Sequence, residues 1–236
     1  MSNNDILGNA LKDYLKGKNK ENITVISSIA EDDELPLDYL FRKADQLPKL
    51  EQKALALCYG KVLDVGAGSG THSLILKDKG LSVLSIDVSG GAIEVMKERG
   101  LNALQTDFME LNHQQFDTVL LLMNGVGIAQ KLNKLTLFLN HAAALLNKGG
   151  QILLDSSDIK YMFREEDGSI WLNINGDYYG EVTYQMKYNN KLSAAFSWLF
   201  VDFEKLKKHA VKANLNCELI FEDDHYGYLA RLTLRN

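Results

Sequence analysis

The chain has 236 residues, 46% apolar and 24% charged, with a formal charge of −5. That length suits one domain carrying an elaboration, with enough apolar residues for a full core. A net negative charge without a dense Lys/Arg run argues against DNA or large RNA as a partner. Two cysteines, Cys58 and Cys217, are too few for a disulfide framework and read as buried free thiols. No charged-then-apolar leader and no run of about 18 apolar residues is present. A cytoplasmic, soluble chain without membrane contact is therefore expected, its oligomeric state open.

Residues 1–57 read as an N-terminal helical cap. Leu7, Leu11, Tyr14 and Leu15 form a helical stripe that Gly17 closes. An acidic knot, Glu31 to Glu34, follows, and the only two prolines, Pro36 and Pro48, bracket PLDYLFRKADQLP. A second helix is expected from Pro48 to Cys58, with Leu50, Ala54, Leu57 and Cys58 on its apolar face. Such a cap either covers a sheet edge or closes as a lid over a ligand, with Tyr39, Phe41 and Arg42 facing it.

Residues 58–236 read as a second domain in which strands and helices alternate, the pattern of a parallel sheet covered on both faces. VLDVGAGSG, Val62 to Gly70, is a short strand followed by glycines at every second position, and a helix starts at Thr71. Such a turn lets backbone approach a ligand and donate N–H groups. A dinucleotide GxGxxG fingerprint needs glycine at position 71, which is threonine here. Strands are then expected over Leu81 to Asp87, Asn102 to Thr106, Phe116 to Met123 and Gln151 to Asp155. Helices follow Ser89 and span Leu135 to Leu146.

After Asp155 the alternation stops. Residues 156–201 form an aromatic insertion containing Tyr161, Phe163, Trp171, Tyr178, Tyr179, Tyr184, Tyr188, Phe196 and Trp198. Glu181 to Tyr188, Asn189–Asn190 and Leu192 to Phe200 predict a hairpin. Asp202 caps a helix, and two antiparallel strands, Cys217 to Phe221 and Tyr226 to Leu234, close the chain.

Carboxylates stand at the end of two strand units and inside a third. Asp87 lies about twenty residues past the first glycine, where a carboxylate can reach ribose hydroxyls. Asp107 could accept from an adenine amino group, with Phe108 offering backbone or a stacking face. Asp64, inside a buried strand, needs partners, which the turn's N–H groups or a ligand's cationic amine could supply. The histidines, His72, His113, His141, His209 and His225, are scattered and give no metal-ligand spacing.

VLDVGAGSG, IDVS, TDF, FDTVLLLMNG and GGQILLD, in this order from about Lys61 to Asp155, resemble the successive motifs of the class I S-adenosylmethionine-dependent methyltransferases. The resemblance implies an α/β fold: a Rossmann-like doubly wound seven-stranded sheet with the last strand antiparallel. It implies S-adenosyl-L-methionine as cofactor, with Asp64, Gly66, Ala67 and Gly68 along its methionine portion. Asp87 and Val88 would hold the ribose, Asp107 and Phe108 the adenine, and Met123 and Asn124 would lie near the amino acid end or the methyl group. Asn124–Gly125–Val126–Gly127 replaces the NPPY-type motif of adenine and glutamine N-methyltransferases, which argues against those substrates.

The function expected is methyl transfer to a small-molecule acceptor. A non-catalytic module that binds S-adenosylmethionine or S-adenosylhomocysteine stays open, because no acceptor motif is present. Acceptor contacts are sought at Tyr39, Arg42, Asp155, Tyr179 and Trp198, with Asp158, Glu165 and Glu166 nearby. The aromatic insertion would roof the pocket, since insertions after the fifth strand lie at the ligand-binding edge of the sheet. No residue is assigned as a catalytic base.

Overall fold

The computed structural model describes residues 5–18, 21–165, 167–170 and 176–235. Asp5 caps α1 (Ile6–Leu15) by accepting the Gly8 N–H at 2.9 Å, and Ile6, Ala10 and Leu11 form the buried face. Next come two short strands, β1 (Ile23–Ser27) and β2 (Asp33–Leu35), paired antiparallel with Ile23 opposite Leu35. A single turn, α2 (Leu37–Leu40), and then α3 (Lys49–Leu57) complete the segment. The expectation of a purely helical cap is thereby corrected. ITVIS is a β-branched run whose main partner lies some 160 residues away, and β2 is the acidic tripeptide DEL, so neither gives a local strand signal.

The alternating region delivers β3 (Lys61–Val65), α4 (Thr71–Asp78), β4 (Ser82–Asp87), α5 (Gly90–Glu98), β5 (Ala103–Gln105) and β6 (Phe116–Leu121). It ends with α6 (Leu135–Ala144) and β7 (Leu146–Ser157). After the insertion strands β8 (Glu181–Tyr188), β9 (Lys191–Leu192) and β10 (Phe196–Leu199) come α7 (Phe203–Lys212), β11 (Leu215–Glu222) and β12 (Gly227–Leu234). The main sheet has the order β11-β12-β7-β6-β3-β4-β5. Pairs from β7 to β5 are parallel, and β12 runs antiparallel to both β7 and β11. The seven-stranded doubly wound sheet with a reversed last strand is therefore the observed fold.

Successive strand residues point to opposite faces, so each central strand feeds two cores. Leu63, Val65, Val119 and Leu121 join Phe138 and Leu139 of α6 and Leu206 of α7 on one side. Val62, Leu120 and Leu153 join Leu55 of α3 and Leu76 of α4 on the other. Every parallel strand ends at the same edge of the sheet, where the loops after β3, β4, β6 and β7 converge.

A second sheet lies over that edge. Its order is β10-β8-β1-β2, with β9 on β8, and all pairs are antiparallel. The expected hairpin exists, with Phe196 opposite Tyr184, but it is not a separate appendage. Strand β8 pairs on its other side with β1, Val25 opposite Met186, so the N-terminal cap and the insertion build one sheet.

The cap is also fastened directly to the main domain. Asp5 accepts from Ser89 Oγ (2.8 Å) and the Gly91 N–H (2.8 Å) at the start of α5. Helix α1 crosses α5 at two glycines so closely that a Cβ on Gly91 would lie 2.6 Å from Gly8 Cα. No real Cβ tolerates that against backbone. We expect Gly91→Ala to push α1 off α5 and cost about 1–3 kcal/mol of stability, the range for overpacking, read by urea unfolding; an unchanged midpoint would show that the crossing is not tight.

Candidate functional site

The turn after β3 is built from backbone that only glycine adopts readily. Gly66, Gly68 and Gly70 have φ of 68°, 55° and 79°. The Gly66 and Ala67 N–H groups both donate to the Ile86 carbonyl, at 2.9 and 3.0 Å. Asp87, the last residue of β4, accepts from the Gly68 N–H (2.9 Å) with one oxygen and from the Ser89 N–H (2.8 Å) with the other. Burial pushes the Asp87 carboxyl above its ordinary value, and these two N–H groups pull against that. A Cβ on Gly68 would meet nothing within 4 Å, so the turn faces open space there.

Above the turn is a partly covered cavity of about 150 Å³. Gly66, Ala67 and Gly68 form its floor, and Leu122, Met123 and Ile128 one wall. The second sheet and α2 provide the roof: Leu35, Leu40, Met186 and Trp198. Trp198 sits so tightly on Gly127 that a Cβ there would lie 2.0 Å from its indole nitrogen. Asp64 reaches the cavity from within β3; its Oδ2 accepts from Ser73 Oγ at 2.6 Å, and burial raises its carboxyl.

The loop after β6 is strained. Met123 and Asn124 both have positive φ, 60° and 57°, and Met123 is not a residue that takes this conformation readily. The Asn124 side chain holds the bend: Nδ2 donates to the Leu199 carbonyl (3.1 Å) and Oδ1 accepts from Ser156 Oγ (2.8 Å). Met123 is thus aimed at the cavity, while the Asn124 side chain braces the bend against the insertion.

A buried ionic chain, Arg42–Glu51–His72, stands at the cavity's side. Arg42 Nη2 donates to both Glu51 oxygens, at 2.6 and 2.5 Å, and His72 Nε2 lies 2.6 Å from Oε2. Arg42 Nη1 donates to the Tyr39 carbonyl, and its guanidinium lies 3.6 Å over the Tyr39 ring. Burial pushes Glu51 up, but His72 and Arg42 outweigh it and hold the carboxyl below its ordinary value. Glu51 was not anticipated from sequence: on an amphipathic helix it looks like a solvated residue.

Outside the cavity, past Asp87, the surface is apolar and open. Val88 is 68% exposed, and Leu104 and Met109 are exposed beside it. Asp107 is exposed and accepts from the Met109 N–H at 2.8 Å. Phe108 is only 3% exposed, packed on Phe138 and edge-on to His141, so its ring offers no stacking face and only its backbone is left for a ligand.

The five acceptor candidates are not brought together. Arg42 and Trp198 line the cavity. Tyr39 backs Arg42 from outside it. Asp155 stands behind the wall, accepting from the Gly125 N–H at 3.2 Å. Tyr179 faces a separate open cleft with Asp158 and Asp202, to which its hydroxyl donates at 2.8 and 3.3 Å. Glu165 pairs its N–H with the Ser169 carbonyl, and Glu166 and Trp171 lie outside the described residues.

Of the histidines, His72 alone lines the cavity. His141 Nε2 bonds the Phe108 carbonyl, and His209 Nδ1 lies 2.8 Å from Thr136 Oγ1. Both cysteines are half-buried rather than buried, and burial pushes each thiol up to about 12, which removes them as nucleophiles at neutral pH. Among the described residues no group of three His, Cys, Asp or Glu is placed to hold a metal. No described helix is long and apolar enough to cross a membrane.

A family described as a methyltransferase domain matches residues 62–150. A crystal structure of an S-adenosylmethionine-dependent methyltransferase from Bacteroides fragilis, in complex with S-adenosyl-L-homocysteine, is 42% identical to the chain. The match covers 99% of this chain and 96% of that one, with a TM-score of 0.92. The cypemycin N-terminal methyltransferase of a Streptomyces species is 30% identical over 102 residues, which span 41% of this chain and 42% of that protein. The CcbJ methyltransferase of Streptomyces caelestis shares the fold at 15% identity, with a TM-score of 0.62 over 82% of this chain and 95% of that one.

Burial raises the Asp155 carboxyl to about 6, against the opposing Asn124 and Gly125 N–H groups. A carboxyl raised on folding binds its proton more tightly in the native state, so stability falls as pH rises from its unfolded value through about 6. Asp155→Asn keeps an acceptor for Gly125 and removes that loss. We expect its stability relative to the parent to rise by about 2 kcal/mol between pH 4.5 and 7, read by urea unfolding at both pH values. A difference independent of pH would show that Asp155 titrates normally.

Proposed function

The chain belongs to the class I S-adenosylmethionine-dependent methyltransferases, and from that we propose that it transfers a methyl group from S-adenosylmethionine to a small-molecule acceptor. The carrying observation is the roof. Two segments outside the matched region 62–150 close over the loops after β3 and β6 and leave a small, partly covered cavity rather than an open track. A macromolecular acceptor needs exposed surface leading to the methyl group.

The residues fit the cofactor. The left-handed turn, open at Gly68, admits a ligand against backbone. The Asp87 carboxylate beside it is anchored by one N–H on each oxygen, which leaves lone pairs for two ribose hydroxyls. Asp64, Gly66, Ala67 and Gly68 would then hold the methionine portion, Asp87 and Val88 the ribose. Asp107 and the Phe108 backbone would hold the adenine over the exposed Leu104 and Met109. Met123 and the braced Asn124 bend would stand next to the reacting carbon.

The bound cofactor supplies a sulfonium methyl that is already activated. The protein's part is to align the acceptor and keep water out. Leu35, Leu40, Met186 and Trp198 exclude water, and the Trp198 ring favours a positive charge near its face. The strained Met123–Asn124 bend, tied to Ser156 and Leu199, fixes the wall against which the acceptor lies.

Isothermal titration with S-adenosylmethionine, S-adenosylhomocysteine and NADH tests the cofactor. We expect micromolar binding of the first two and none of NADH, and at least a tenfold weakening in Asp87→Ala with the fold intact, as lost charge-assisted hydrogen bonds imply. Incubation with trideuteromethyl-labelled cofactor and a fractionated cell extract tests the acceptor. Label is expected in the low-molecular-mass fraction; label only in protein or nucleic acid would overturn the small-molecule reading.

A further inference from the structure

We propose that the open cleft containing Tyr179 binds an ammonium group of the acceptor, so that the small molecule methylated carries an organic cation, held apart from its reacting atom. The proposal rests on the methyltransferase reading above.

The roof of the cavity offers an acceptor only apolar contacts such as Leu35, Met186 and Trp198. Its polar groups must therefore be recognised outside the cavity. The cleft, about 720 Å³ in volume, stands on the two segments that brace the Met123–Asn124 bend. Ser156 Oγ donates to Asn124 Oδ1 at 2.8 Å and accepts from the Val201 N–H at 3.0 Å. Asp158 and Asp202 follow these residues in the chain, and both line the cleft. The cleft thus flanks the end of β7, whereas Asp87 lies at the end of β4, with β6 and β3 between.

Its chemistry suits an organic cation. The Tyr178 and Tyr179 ring centres lie 4.4 Å apart, and Phe163 stands edge-on to Tyr179 at 6.2 Å. All three rings line the cleft, and aromatic faces attract ammonium groups. The Tyr179 hydroxyl donates to Asp158 (2.8 Å) and Asp202 (3.3 Å), and the Tyr178 hydroxyl donates to Asp202 at 2.7 Å. One phenol therefore holds two carboxylates close together, where their like charges repel. Burial and these carboxylates push the Tyr179 hydroxyl up, against the opposing Tyr178, so it stays a protonated donor and cancels neither charge. Both bonds to Asp158 fall on Oδ1, from Tyr179 and the Lys160 N–H, which leaves Oδ2 for a ligand. Lys131 lies 3.7 Å from Asp177 and 3.5 Å from Glu181, but Asp158 and Asp202 have no ion-pair partner among the described residues. A bound ammonium would supply that counter-charge. A metal ion fits less well, because among the described residues no three carboxylates converge.

The test is calorimetric titration of the protein, saturated with S-adenosylhomocysteine, with 2-phenylethylamine and with its neutral isostere 2-phenylethanol. At neutral pH the amine is an ammonium ion, and it is expected to bind at least about tenfold more tightly than the alcohol. Asp158→Asn is expected to remove most of that preference and to leave the affinity for S-adenosylhomocysteine within about twofold. Asp202→Asn, whose side chain can still cap α7, repeats the test if the first variant fails to fold. The labelled low-molecular-mass product of the extract incubation is expected to be retained by a cation-exchange resin at neutral pH. Equal binding of amine and alcohol, binding of neither, a preference that survives both substitutions, or a neutral or anionic labelled product would overturn the assignment. A parent protein that does not bind S-adenosylhomocysteine would instead sink the methyltransferase reading, so the two failures are distinct.

Discussion

The site depends on one constraint, the left-handed backbone between Gly66 and Gly70. Such a turn is not stable by itself; it exists because its N–H groups have fixed acceptors on β4, the Ile86 carbonyl and the Asp87 carboxylate. The same turn offers its far end to the cap. Ser69 and Thr71 donate to the Leu40 carbonyl, and Arg99 Nη1 donates to the Ser69 carbonyl at 2.6 Å. The ligand-facing floor and the docking surface for the roof are therefore one object. Any change that loosens the turn moves both.

The roof has its own logic. Its strands come from positions 23–35 and 181–199, brought together across more than 150 residues. Closing so long a loop is entropically unfavourable and is compensated only when the main sheet has placed both segments at the same edge. The second sheet is thus a consequence of the first. Neither segment could build the cavity alone: Leu35 and Leu40 come from one, Met186 and Trp198 from the other. The cavity is small, about 150 Å³, and Val88, Leu104 and Met109 lie exposed outside it.

What could be read from sequence follows from how local the physics is. The glycines at 66, 68 and 70 were legible because positive φ demands that residue type, and Asp87 because a strand end at a fixed interval from them has one place to be. The alternation of short apolar blocks fixed the main sheet, its order apart. Strand β1 was not legible, since ITVIS pairs with a segment far along the chain, nor was the split of the acceptor candidates. Tyr179 and Trp198 are neighbours in an aromatic stretch, yet one donates to Asp158 in an outer cleft and the other packs on Gly127 inside. Phe108 looked like a stacking face and is core, because its position in the turn after β5 points it at α6 rather than outward.

Glu51 shows what a buried ionic chain does that apolar packing does not. Replacing Arg42, Glu51 and His72 by matched hydrophobic residues would avoid the desolvation of two charges, and such replacements are often neutral or stabilising in other proteins. Stability is therefore a weak reason for this chain to exist. It spans three elements, the strap after α2, helix α3 and the first turn of α4, and its bonds are directional. An apolar contact would let the strap slide over α3; the two-oxygen contact of Glu51 with one guanidinium nitrogen admits one register. The chain holds the cavity's edge in a single geometry.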